Sequence, residues 1–262
     1  MQERGYHLNY IWHRLKQKLI NRIKPNTLAS SGPSLDGQIL ANGKIKLERL
    51  ELISVHIPKS AGTSFRNILY DQYGKGLFRV DISGGRLAVE EDHNFPSQKL
   101  SAMTVAHGHF SLEKFREKFE YDPDVPVIVW LRDPVERLIS DYRYLSSILH
   151  DYVDHKKVPS LLRRMEKTLL EFAAFPSAQN VTTRFLEGME LKAFAFVGMV
   201  ENYEEDIQRL SQLMNWNVET IYRHNITKKK SLEVSDEELR IIKNLNAEDI
   251  EIYKYAKSIL SR

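Results

Sequence analysis

Residues Val125–Ser140 read VPVIVWLRDPVERLIS, and this stretch decides the architecture. Its first half, Val125–Leu131, is apolar and β-branched with no polar alternation, the pattern of a strand buried on both faces. Such burial is the habit of a central strand in a parallel sheet, because crossover helices cover both sides. Pro134 then suits the first turn of a helix, where a missing N–H costs nothing. That helix is expected to run to about Leu149. Arg132 and Asp133 sit between the two, at the carboxyl end of the strand, where open α/β sheets bind their ligands.

Working outward, the same alternation recurs. Leu50–Ile57 is a short apolar run closed by Pro58 and reads as a buried strand, with a helix over Ser64–Tyr73. Leu100–Ala106 predicts a second short strand, followed by a helix from Leu112 to Phe119. Ala193–Met199 (AFAFVGM) is a further strand candidate, and helices are expected around 160–175, 203–214 and 235–259. Strands alternating with helices imply a single α/β domain, its central parallel sheet flanked by helices. The layout expected is that of P-loop nucleotide kinases. A chain of 262 residues suits one sizeable core and is short for two.

The domain is assigned to residues 46–262. Ahead of it, Leu8, Ile11, Trp12, Leu15, Leu19 and Ile23 fall on one helical stripe with basic residues mostly elsewhere. Residues 1–45 therefore read as a basic amphipathic helix followed by a Pro/Gly/Ser/Asn-rich linker. The stripe over 8–23 could lie on a membrane surface or pack on the domain or a partner subunit.

The formal charge is +3, and it is local. Residues 1–24 hold six Lys or Arg against one Glu, leaving 32 basic against 34 acidic residues in the rest. That balance argues against a nucleic-acid binder, so any anion site must be made by a few placed groups. The chain has no cysteine, which excludes disulfides, thiolate metal sites and thiol nucleophiles. No apolar run approaches the roughly 20 residues that span a bilayer, and the first residues lack a secretory pattern. A cytoplasmic location is the expectation.

Two motifs point to phosphate. Ser54–Phe65 (SVHIPKSAGTSF) is strand, tight loop and helix start. Small residues Ser60, Ala61 and Gly62 let the backbone curl around an anion. Thr63 and Ser64 add hydroxyls where a helix N-terminus favours negative charge, and Lys59 adds a full positive charge. The kinase P-loop carries its Lys late, in G-x-x-x-x-G-K-[ST]; here the Lys comes early. In the second motif, Arg132 can grip a phosphate in bidentate fashion, and Ser140 follows about two turns into the helix. Arg137 and Asp133 read as an ion pair and a helix cap. His56 reads as a packed or loop histidine rather than a base.

With His107-Gly108-His109, these motifs resemble the sulfotransferase family that includes heparan sulfate 2-O-sulfotransferase and uronyl 2-O-sulfotransferase, together with smaller bacterial relatives. The resemblance runs from about Ser54 to the C-terminus, with weaker echoes at Gln179–Leu186, Phe196–Glu201 and Asn225–Lys230. It implies that 3'-phosphoadenosine 5'-phosphosulfate (PAPS) is the donor, leaving as adenosine 3',5'-bisphosphate, and that no metal is required. It places Lys59, Ala61, Gly62, Thr63 and Ser64 around the 5'-phosphosulfate, with Ser60 in the same loop. It places Arg132 and Ser140 on the 3'-phosphate, and Thr227 and Lys230 on a late loop closing over the nucleotide.

The expected reaction is sulfuryl transfer to a hydroxyl, on a glycan or polysaccharide by resemblance. An alcohol needs a base, and His109 is the candidate with His107 as its close partner, since histidine titrates near working pH. An extended His-Gly-His puts both imidazoles on one face, and Gly108 is expected to leave room for a substrate. Residues contacting the acceptor are expected in Arg79–Gln98 and His150–Gln179. Two other classes compete: a phosphotransferase using ATP and magnesium, which predicts a late Walker lysine, and a non-catalytic nucleotide or carbohydrate binder, which needs no base.

Overall fold

The computed structural model describes residues 40–83, 86–90, 100–156, 167–222 and 233–260. In chain order the elements are β1 (Ile45–Lys46), β2 (Leu52–Val55), α1 (Gly62–Tyr73), β3 (Leu77–Ser83), β4 (Arg86–Glu90), β5 (Val105–Gly108), α2 (Leu112–Lys118), β6 (Phe119–Glu120) and β7 (Val127–Leu131). They continue with α3 (Pro134–Lys156), α4 (Leu169–Ala173), α5 (Val181–Phe185), β8 (Phe196–Met199), α6 (Tyr203–Met214), α7 (Asp236–Leu245) and α8 (Ala247–Leu260).

Six strands form one sheet in the order β4-β3-β5-β2-β7-β8, and β1 pairs with β6 apart from it. Every neighbour in the large sheet is parallel except the β3–β4 hairpin at one edge. As the apolar runs predict, β2 and β7 are central and buried along their whole length. Their side chains alternate between two cores. Ile53, Val55, Val127, Val129 and Leu131 pack with Leu112 and Phe115 of α2 and Ala256 of α8. Leu52, Ile128 and Trp130 pack with Phe65 and Ile68 of α1 and with Ile207 and Leu210 of α6. Each such side chain, fully buried, stabilises the fold by about 1.5–3 kcal/mol.

The structure moves several expected boundaries. A turn of 3-10 helix occupies Leu100–Ala102, so β5 starts only at Val105 and carries His107 inside the strand. The helix after β7 runs to Lys156 rather than Leu149. The span expected as one helix over 235–259 is two, broken at Asn246. That side chain donates to the carbonyl of Ile242 (2.9 Å) and accepts from the amide of Asn180 (3.1 Å). The β3–β4 hairpin lies largely within Arg79–Gln98, where acceptor contacts and no strand were expected from sequence. In β3 the residues Phe78, Val80 and Ile82 are buried while Arg79 and Asp81 are less so, the alternation of a strand with one wet face.

Among the described residues no helix is long and apolar enough to cross a membrane. The amphipathic stripe at 8–23 lies outside the described residues, as do parts of both stretches expected to meet the acceptor.

Candidate active site

The carboxyl ends of β2, β5 and β7 bring the motifs together, because these three strands are neighbours and parallel. After β2 the chain turns through Lys59 (φ 70°) and Ala61 (φ 57°). Two left-handed residues without glycine, each costing roughly 1–2 kcal/mol, mark a loop whose shape is imposed by its surroundings. One restraint is Arg132, whose Nη1 donates to the carbonyl of Lys59 at 3.2 Å. Helix α1 then begins at Gly62 with no side chain capping it. Its leading amides have no intrahelical acceptors, which is what makes such a terminus receptive to an anion. Ser60 is buried, and its hydroxyl has no hydrogen-bond partner among the described residues.

Helix α3 faces this loop. The Lys59 ammonium sits 4.0 Å from the centre of the Tyr144 ring. Ser140 lies one turn before Tyr144 and so shares its side of the helix. Arg132, at the helix entrance, also reaches Glu136 at 3.7 Å. Asp133 caps the helix as expected, its Oδ1 accepting from the amides of Val135 and Glu136 at 3.0 Å each. The ion pair expected of Arg137 gives way, among the described residues, to another arrangement. Arg137 is buried and its Nη2 donates to the carbonyl of Ala178 at 3.0 Å. Position 137 lies one turn past Asp133, and its side chain dives beneath the chain at 178 instead of turning back.

Next to the loop stand three imidazoles. His56, at the end of β2, is stacked between His107 (centroids 5.0 Å apart) and His109 (4.4 Å). The extended His-Gly-His does place both its rings on one side, and His56 joins them there. Gly62 makes this possible, since a Cβ at that position would lie 1.8 Å from Nε2 of His56. Gly108 has a different reason from the one expected. A Cβ there would meet the backbone oxygen of Val80 at 1.9 Å, so the close approach it permits is that of strand β3 rather than of a substrate.

The three rings are not equivalent. His107 is buried, its Nδ1 2.9 Å from the hydroxyl of Ser54. Burial and the neighbouring His109 lower its pKa to about 3, so it is neutral at physiological pH. Burial, then His109 and His107, hold the pKa of His56 well below the ordinary histidine value. Arg79 and Arg66 act on both rings in the same sense. His109 faces a carboxylate, the one such contact of the three rings among the described residues: its Nδ1 is 2.7 Å from Oδ1 of Asp81, which also accepts from the His109 amide at 3.1 Å. Burial alone would raise the pKa of Asp81, but its bonds to His109 and the charge of Arg79 outweigh this and lower it.

Asp81 was not singled out from sequence, although LFRVDIS (Leu77–Ser83) alternates as a strand does and puts Arg79 and Asp81 on its polar side. The echo at Gln179–Leu186 also has a structural explanation. Asp249 of α8 accepts from the amides of Thr182 (2.9 Å) and Thr183 (2.8 Å), pinning the start of α5. That short helix ends with Phe185, whose ring meets His109 edge-on at 6.5 Å. In the Phe196–Glu201 echo, Glu201 accepts from the amide of Asp133 at 2.9 Å and so steadies the junction that presents Arg132. Thr227 and Lys230 lie outside the described residues.

The arrangement places an uncapped helix start and its lysine-bearing loop beside a histidine that is bonded to a carboxylate. Among the described residues no group of histidines and carboxylates is arranged to hold a metal ion. A family model described as "Sulfotransferase family" matches residues 46–256. Carbohydrate sulfotransferase 15 of Mus musculus is 40% identical over 63 residues, 24% of this chain and 11% of that protein. Heparan sulfate 2-O-sulfotransferase 1 of Homo sapiens is 33% identical over 107 residues, 37% of this chain and 30% of that protein. The chain thus matches less than a third of either relative's length. A sulfotransferase structure from Alicyclobacillus acidocaldarius aligns with a TM-score of 0.44 at 13% identity, over 79% of this chain and 95% of that one.

Proposed function

The chain belongs to the sulfotransferase family, and on that premise we propose that it transfers a sulfuryl group from PAPS to a hydroxyl of a glycan. The observation that carries the proposal is the adjacency of two devices: the His56–His107–His109 stack packs directly against Gly62, in the loop that starts α1. A base and an anion cradle on one side of the sheet are what sulfuryl transfer to an alcohol requires.

The loop fits a phosphosulfate on its own evidence. It offers an uncapped helix start, the buried hydroxyl of Ser60, unpartnered among the described residues, and the charge of Lys59. Lys59, Ser60, Ala61, Gly62, Thr63 and Ser64 would hold the 5'-phosphosulfate. Arg132 and Ser140 would hold the 3'-phosphate, with Thr227 and Lys230 closing over the nucleotide. When bound, PAPS supplies an activated sulfuryl group and departs as adenosine 3',5'-bisphosphate. Lys59 carries a positive charge to the place where negative charge develops, an electrostatic contribution that strengthens as the reaction proceeds. His109 takes the acceptor's proton. His107, buried and neutral, hydrogen-bonds to Ser54 and stacks on His56, which stacks in turn on His109. The two relatives' names refer to a carbohydrate and to heparan sulfate, which supports a glycan hydroxyl as acceptor here.

The test is incubation with sulfur-labelled PAPS and a panel of glycans, read by mass spectrometry. Label appearing on a glycan hydroxyl supports the reading. Label that stays on PAPS throughout, with ATP-dependent phosphorylation of an acceptor instead, refutes it.

A further inference from the structure

We infer that Asp81 is a positioning residue that fixes His109 with its Nδ1 protonated and its Nε2 directed to the acceptor hydroxyl. This rests on the reading of His109 as the base.

Stacking against His56 sets the plane of the His109 ring, but a half-turn about Cβ–Cγ keeps that plane while exchanging Nδ1 with Cδ2 and Nε2 with Cε1, and a neutral ring can carry its hydrogen on either nitrogen. Something else must decide which nitrogen faces the site. Asp81 does so. An ionised carboxylate only accepts hydrogen bonds, so a nitrogen 2.7 Å from its Oδ1 must carry the hydrogen. Nε2 is then the nitrogen with a lone pair. The carboxylate is itself held. Oδ1 also accepts from the His109 backbone amide at 3.1 Å, and Oδ2 lies 3.3 Å from Nη2 of Arg79. Arg79 pairs in register with His107, and the amide of Ile82 donates to the carbonyl of His109 at 3.0 Å. Strand β3 is therefore locked beside the base by backbone bonds on both sides of Asp81.

The arrangement also settles where the proton goes. The acceptor's O–H proton passes to Nε2 as the new S–O bond forms and the bond to the departing nucleotide breaks. The resulting imidazolium keeps its bond to Asp81, whose Oδ1 is 2.7 Å from Nδ1. After product release the proton passes to water. A base oriented by a third group in this way follows the general logic of activated catalytic pairs.

Two measurements test the inference. In the intact protein, nitrogen-15 labelling of the histidine rings should show His109 as the Nδ1–H tautomer, and Asp81→Asn should mix or reverse it. Asp81→Asn should also lower kcat by about 100-fold while nucleotide affinity holds within about twofold. In a His109→Ala background the same change should cost no further turnover, because Asp81 acts only through that ring. An Nε2–H tautomer in the unaltered protein overturns the inference even if Asp81→Asn fails to fold. An equal loss with and without His109 overturns it as well. Failure of the unaltered protein to transfer sulfuryl would count against the functional reading and leave the tautomer result standing.

Discussion

Gly108→Ala separates the structural from the substrate-binding role of the histidine strand. The new Cβ would sit 1.9 Å from the Val80 carbonyl oxygen, whereas ordinary contact begins at 3.4 Å. The obstacle is backbone, so no side chain can rotate out of the way. Strands β3 and β5 must part by an amount approaching a third of the usual strand spacing of about 4.8 Å. Overpacking of this kind costs about 1–3 kcal/mol. Loss of the bond from Ile82 to His109, and of one neighbour in the ladder, adds about 0.5–1.5 kcal/mol each. A total of about 4 kcal/mol lowers the melting temperature by about 12 °C in a domain of this size. Thermal melts by circular dichroism, with urea midpoints alongside, would measure it. By contrast the atoms nearest a Gly62→Ala methyl belong to the His56 side chain rather than to backbone, so this variant should melt closer to the parent than Gly108→Ala and lose turnover by displacing the stack. A Gly108→Ala protein that melts like the parent and is impaired only in acceptor binding would refute this account of the glycine.

Lys59→Ala should mainly lower kcat, because its charge matters most when the leaving oxygen gains its own; an unchanged kcat with weaker nucleotide binding would reverse that role. Arg132→Ala should mainly weaken nucleotide binding, measured by calorimetry, and should also loosen the loop by removing its bond to the Lys59 carbonyl. Adenosine 3',5'-bisphosphate should bind equally well with EDTA or magnesium present if, as proposed, Lys59, Arg132 and backbone amides supply the attraction; magnesium-dependent ATP binding in its place would favour a kinase. Stability should fall as pH drops from about 6.5 toward 3. The unfolded chain protonates its histidines near 6.5, whereas buried His107 resists until about 3, so the unfolded state takes up more protons in that window. Asp81, its pKa lowered in the fold, loses its contribution in the same direction once its own carboxylate protonates. Urea midpoints at pH 7, 5.5 and 4.5 would check the sign, and His107→Gln should flatten the slope.

The central strands were legible because burial on both faces leaves an unbroken apolar run, as at Val127–Leu131. The phosphate loop was legible because its chemistry is local: a lysine, small residues and hydroxyls within seven positions at a strand-to-helix turn. What escaped reading was contributed by pairing across the sheet. Asp81 lies far along the chain from His109 and meets it only because β3 and β5 are parallel neighbours. His56 was read as a packed or loop histidine, and it is packed, but its packing partners are the two candidate catalytic rings. Gly108 was assigned to the substrate because nothing local announces the Val80 carbonyl beside it. The break at Asn246 was missed for the same reason, since that side chain is satisfied by Asn180 on another element.

The most direct test of the account is single-turnover sulfuryl transfer by His109→Ala and His107→Ala, each measured beside its affinity for adenosine 3',5'-bisphosphate. With nucleotide affinity near that of the parent, His109→Ala should lose roughly 100-fold or more in the transfer rate, the scale of a missing base. His107→Ala should lose less, and its melting temperature should fall because its ring is buried against Ser54. Near-parental transfer by His109→Ala, with transfer abolished in a folded His107→Ala, would contradict the account and assign the base to His107.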